Sequence, residues 1–251
     1  MNSTLIAFLV FVFVFGGALA GIAVRVPAHH VDAETRDVVK LVMGLVATIS
    51  ALVLSLLIAS SHSSYDTQES EVQQLGAQIV QLDGVLAHYG PEANDSRAQL
   101  RRMVENELAR LWPDAGAARA ATPAPHIYTP AEDLFATVGA LTPKSEAQRS
   151  AQGRALQLMT TAGTTIRLLH MQSGGSLSWP FFVVLVFWLA MLFVGFGLYA
   201  RCNATVVTTL FVGALTVAGA IFLILEMNRP FGGLMQISSA PIRNALEQIG
   251  R

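Results

Sequence analysis

Leu41-Val-Met-Gly44-Leu-Val-Ala-Thr48-Ile-Ser-Ala-Leu52-Val-Leu-Ser-Leu56-Leu-Ile-Ala-Ser60 contains no charged and no aromatic residue. As an α-helix rising 1.5 Å per residue it is about 30 Å long, the thickness of the hydrocarbon core of a bilayer. Three other stretches have the same character: Thr4–Val24, Trp179–Ala200 and Ala204–Leu225. The rest of the composition agrees. Of 251 residues, 53% are hydrophobic and 13% charged, and mean hydropathy is +0.50. Soluble domains carry about 25% charged residues, so an ordinary soluble globular protein is excluded. High apolar content with a net charge of −1 excludes a disordered chain. A single cysteine, Cys202, excludes a disulfide framework. The near-neutral balance argues against a nucleic-acid partner, which demands a basic patch.

Four apolar segments in a 2 + 2 layout predict an all-α membrane protein with four transmembrane helices and a helical extramembrane domain. The expected divisions are 1–60, a first membrane hairpin; 61–178, a helical domain; 179–226, a second hairpin; and 227–251, a tail. Ala18-Leu-Ala20 before Gly21 has the look of a signal-peptidase site. However, no positive residue precedes it and the apolar run continues beyond, so the segment reads as a retained helix, with a cleaved signal as the alternative. Arg201-Cys202-Asn203 is so short a link that helices three and four are expected to be antiparallel neighbours. Charge near the membrane is too evenly spread to orient the chain.

The middle region reads as helical throughout. Val72, Leu75, Ile79, Leu82, Leu86 and Tyr89 recur at 3/4 spacing, an apolar seam on a helix continuous with the second span. Gly90-Pro91 ends it. Asn94-Asp95 is expected to cap the next helix, whose face carries Leu100, Val104, Leu108 and Leu111. Ala115–Tyr128, rich in Ala and Pro, is expected to be a disordered loop. Thr129-Pro130 and Thr142-Pro143 are expected to open two further helices, the second running to about Gln172. Ser239–Ile249 predicts a short amphipathic helix with Ile242, Leu246 and Ile249 on one face. The seam and this tail helix are the candidate subunit contacts.

No enzyme signature is present: no Gly-x-Ser-x-Gly, no phosphate loop, no dinucleotide fingerprint. The six histidines are scattered and read as solvated or interfacial rather than as metal ligands. No cofactor is expected. Chemistry therefore gives way to permeation. The second span has two distinctive faces: small residues (Gly44, Thr48, Ala51, Ser55, Ala59) and aliphatic ones (Val42, Leu45, Ile49, Leu52, Leu56). In a ring of subunits, the aliphatic face makes a narrow neck that gates by dewetting, whereas the small face makes a wider, hydroxyl-lined pore. Small stripes also serve plain helix packing. In the loop before the span, Arg36 and Lys40 are candidate pore-mouth charges, set among acids that offset them.

Several segments together carry a resemblance: Glu34-Thr-Arg-Asp-Val-Val-Lys40, Ser64-Tyr-Asp-Thr-Gln68, Tyr89-Gly-Pro-Glu-Ala93, Val184-Leu-Val-Phe-Trp188, Ala220-Ile-Phe-Leu-Ile-Leu-Glu226, Arg229-Pro-Phe-Gly232 and Gln236-Ile-Ser-Ser-Ala-Pro241. The chain resembles the bacterial bestrophin-like membrane proteins over nearly its whole length, and more distantly the bestrophin anion channels. That resemblance implies a homo-oligomer, with a pentamer as first guess, in the lipid of the bacterial inner membrane with both termini cytoplasmic. It implies passive passage of inorganic anions along an axial pore. Leu45, Ile49, Leu52 and Leu56 would line the neck, and Ile242 and Leu246 are candidates for a lower constriction. Calcium-gated bestrophins carry an acidic cluster after Pro-Phe-Gly; Gly233-Leu-Met-Gln-Ile-Ser238 carries none, so calcium gating is not implied. The alternative function is a non-conducting membrane scaffold or sensor that recruits partners through its helical domain.

Overall fold

The computed structural model describes residues 2–24, 33–112, 130–172, 179–200 and 202–249, the side chains of 33–36, 130 and 131 excepted. The described residues form eight α-helices and no strand. The chain divides into two compact units, Met1–Tyr65 with Gly175–Asn228, and Asp66–Gly174 with Arg229–Arg251. Among the described residues, four helices are long and apolar enough to cross a membrane.

The first unit holds α1 (Ser3–Ala23), the first part of α2 (Ala33–Tyr89), α6 (Trp179–Tyr199) and α7 (Ala204–Met227). α1 packs along both α6 and α7, and Val14, Ala18, Phe193, Ala214 and Ile221 are buried in the shared core. Phe211 of α7 stands edge-on to Phe11 and Phe15 of α1, with ring centroids 5.4 and 5.5 Å apart. The backbones of α1 and α6 nearly touch. A Cβ on Gly21 would run into Val194 O, and one on Gly197 into Ala18 O. Hydrophobicity does not drive helices together in lipid, so such close van der Waals approach does much of that work. The spacing Gly17-x-x-x-Gly21 is the sequence signal for it. The expected pairing of α6 with α7 is made by side chains: the Phe193 ring lies 3.2 Å from where a Cβ on Gly213 would stand.

Two contacts among the described residues mark how α2 is seated in this unit. Met43 lies in the notch left by Gly195 of α6. Ser61 accepts a 3.0 Å hydrogen bond from Asn228 Nδ2 at the end of α7. Both hold the same side of α2 inward.

The second unit is built on the continuation of α2. The helix runs to Tyr89 as the seam predicts; Gly90 then takes φ 122°, where glycine alone is unstrained, and Pro91 opens a 3-10 turn to Ala93. All six seam residues are buried within this one chain. The expectation that the seam joins subunits is therefore corrected: α2 has its own partners here. α3 (Asn94–Leu111) packs on α4 (Pro130–Gly139) and on α8 (Ala240–Gln248), and α4 packs on α5 (Glu146–Gln172). α8 comes so close to α2 that a Cβ on Gly76 would stand 2.9 Å from Pro241 O.

Two expected helix starts are also corrected. α3 begins at Asn94 with Ala93 as its cap residue and no side-chain cap bond, because the 3-10 turn feeds straight into it. α5 begins at Glu146 rather than at Pro143. Ser145 Oγ accepts from Gln148 N at 3.1 Å and Gln148 Oε1 accepts from Lys144 N at 2.7 Å, a reciprocal cap that Thr142-Pro143 cannot supply. The expected loop Ala115–Tyr128 lies outside the described residues.

Candidate pore-lining helix

One side of the membrane part of α2 is packed: Met43, Val46, Ser50, Val53, Leu54, Leu57 and Ser61 are buried or half-buried. The four expected neck residues are not among them. Leu45, Ile49, Leu52 and Leu56 are 61%, 39%, 66% and 69% exposed. Only 6% of the most apolar window of α2 is buried, against 28%, 39% and 28% in α1, α6 and α7. The small residues Gly44, Thr48, Ala51 and Ser55 are exposed as well. Thr48 Oγ1 donates 2.9 Å to Gly44 O, so its proton is already engaged by the helix.

At 100° per residue the faces can be placed around the axis. With Met43 at the origin, Ser50, Leu54, Leu57 and Ser61 fall within about 40° of it. Leu45, Leu52 and Leu56 lie about 180–220° away, opposite the packed side, and Ile49 at about 240°. The small residues lie at about 80–140°, on one flank.

Of the mouth charges, Arg36 lies outside the described side chains. Lys40 is exposed, 3.5 Å from Asp37 one turn earlier. An exposed pair of this kind offsets its own field. Of the two tail positions, Ile242 is buried and lines the apolar interior of the second unit with Leu75 and Trp112, whereas Leu246 is half-buried. The structure thus brings the four neck residues onto one bare surface and takes up Ile242 inside its own subunit.

The segment after α7 is held in the second unit. Ile237 N donates to Pro230 O at 2.7 Å, and Trp112 Nε1 donates to Ile237 O at 2.8 Å. The Trp112 ring meets Phe231 edge-on at 5.1 Å. Pro230-Phe231-Gly232 is thereby fixed against the end of α3.

Four apolar spans joined to a helical extramembrane unit define a multi-pass α-helical membrane protein. The model of the bestrophin-like domain matches residues 10–242, and the chain belongs to that family. Solved structures agree in fold. One is a crystal structure of a bacterial bestrophin homolog from Klebsiella pneumoniae carrying an isoleucine-to-threonine substitution. It is 12% identical with a TM-score of 0.70, over 97% of this chain and 99% of that one. A leucine-to-threonine form from the same organism is 12% identical with a TM-score of 0.69 over the full length of both. A membrane protein with a proline-to-alanine substitution is 13% identical with a TM-score of 0.66, over 98% of this chain and 99% of that one. No curated protein matches the chain.

Proposed function

We propose that the chain is one subunit of a homo-oligomeric ion channel, a pentamer in the bacterial inner membrane, that passes inorganic anions passively along an axial pore. The extramembrane helices and both termini lie on the cytoplasmic side. Membership of the bestrophin-like family supports this reading, and one observation carries it: α2 presents a continuous aliphatic face diametrically opposite the side by which it is packed. In a ring with α2 innermost, that side looks at the axis and the flanks meet the neighbouring copies. The sequence left two pore linings open; the geometry favours the aliphatic one. Leu45, Leu52 and Leu56 face the axis, Ile49 stands toward one flank, and Gly44, Thr48, Ala51 and Ser55 let the next α2 approach on the other.

Such a neck excludes water unless it widens, and every methylene removed eases wetting. Purified protein in planar bilayers is expected to conduct above protein-free membranes, and Leu52→Ala is expected to raise the conductance. Arg36 and Lys40 act at the mouth; replacing both with Gln is expected to lower anion preference only modestly, because Asp37 already offsets Lys40. Leu246 is the tail residue left for a lower constriction. A silent bilayer would favour the non-conducting scaffold instead.

A further inference from the structure

Two helix faces in the second unit meet without closing on each other. α2 contributes Gln81, Gly84 and His88; α5 contributes Ser150, Ala151 and Arg154. Between them lies an open groove of about 430 Å³. Gly84, Ala147 and Ala151 line it together with Val85, and a Cβ on Gly84 would meet nothing within 4 Å. One end is pinned, because Gln148 Nε2 donates 2.9 Å to Tyr89 O and Lys144 Nζ donates 2.9 Å to Glu92 Oε1.

Among the described residues, no carboxylate lines this groove. The acids nearest in sequence are engaged elsewhere: Asp83 with Arg97, Glu92 with Lys144, Glu146 with Arg149. Arg97, Arg101, Arg110 and Arg149 each hold a carboxylate. Arg154 has no hydrogen bond or ion pair among the described residues, and three residues able to donate, Ser150, Gln81 and His88, line the same groove. A guanidinium fork with neighbouring hydroxyl and amide donors matches a tetrahedral oxyanion.

We propose that this groove binds a phosphate-type oxyanion, either free phosphate or a soluble phosphomonoester. Arg154 supplies the charge and Ser150, Gln81 and His88 complete the donor set. A lipid headgroup would share the chemistry, and the vesicle arm of the test separates the two sources.

The test is calorimetric titration of the full chain in detergent with sodium phosphate at constant ionic strength, beside flotation with vesicles containing phosphatidic acid. Saturable uptake of free phosphate is expected. Arg154→Gln should weaken it about tenfold or more, the loss of one charge-assisted partner. Arg154→Lys should restore part of the affinity, and Arg102→Gln, an exposed arginine outside the groove, should leave it unchanged. Arg154 is exposed, so the variants are expected to melt like the parent. No saturable uptake, uptake indifferent to Arg154→Gln, or capture of vesicles without uptake of free phosphate would each overturn the proposal. None of these readouts depends on whether the chain conducts.

Discussion

Asp83 and Arg97 meet through two parallel bonds, Nε to Oδ1 at 2.7 Å and Nη2 to Oδ2 at 2.8 Å, with both side chains largely buried. The hydrogen bond to Asp83 pushes the Arg97 guanidinium pKa further up, so the group stays charged. Asp83→Asn would strand that cation between α2 and α3, and a loss of about 3 kcal/mol is expected in thermal or urea unfolding in detergent. Asp83→Leu combined with Arg97→Met should cost clearly less, because neither charge is then left alone. Glu92 and Lys144 form an exposed counterpart. The Lys144 hydrogen bond holds Glu92 below the usual carboxylate range, and the Glu92 hydrogen bond holds Lys144 above the usual lysine range. The Glu92 contribution is therefore present above the ordinary glutamate pKa and fades as pH falls through the lowered value. The Lys144 contribution is present below the ordinary lysine pKa and fades as pH rises through the raised one. Melting temperature measured against pH should show Glu92→Gln flattening the acid limb, and an unchanged limb would remove the pair from the balance. None of these pairs was legible in the sequence, since Asp83 and Arg97, and Glu92 and Lys144, are brought together only by the turn at Gly90 and by the docking of α5.

α2 is the element the sequence described best. Its apolar run, its seam and its end at Gly90-Pro91 all follow from spacing and punctuation. What spacing could not supply was the covering of each stripe. The seam at Val72–Tyr89 looks like a subunit contact until α3, α5 and α8 are placed in the same unit. The two faces at Leu41–Ser60 look equivalent until Met43 enters the notch at Gly195 and fixes the rotation. The groove at Arg154 was hidden for the same reason, because its two walls lie on helices far apart in sequence. Gly17-x-x-x-Gly21 was a signal within reach. Gly21→Leu or Gly197→Leu should push α1 off α6 and lower the yield of folded protein in detergent-solubilised membranes, whereas Gly16→Leu, where a Cβ meets nothing within 4 Å, should be tolerated. Equal yields from all three would refute the close approach.

Within a single chain the α2 face is bare, and the described residues hold four helices long and apolar enough to span a membrane, too few to enclose a pore of their own. The ring proposed above would meet both conditions at once, with every α2 at the axis and its flanks buried between neighbours. Outward exposure of apolar residues is by itself equally suited to lipid, so the decisive property of Leu52 is contact with water. A thiol reacts with a charged reagent as its thiolate, which forms in water and not in hydrocarbon. The direct measurement is the bilayer current of the full chain carrying Leu52→Cys, with the exposed Cys202 replaced by Ser, before and after a charged methanethiosulfonate is added to the aqueous phase. Progressive loss of current, absent in the Cys202→Ser parent, is expected if the aliphatic faces encircle the ion path; a current untouched by the reagent would contradict it.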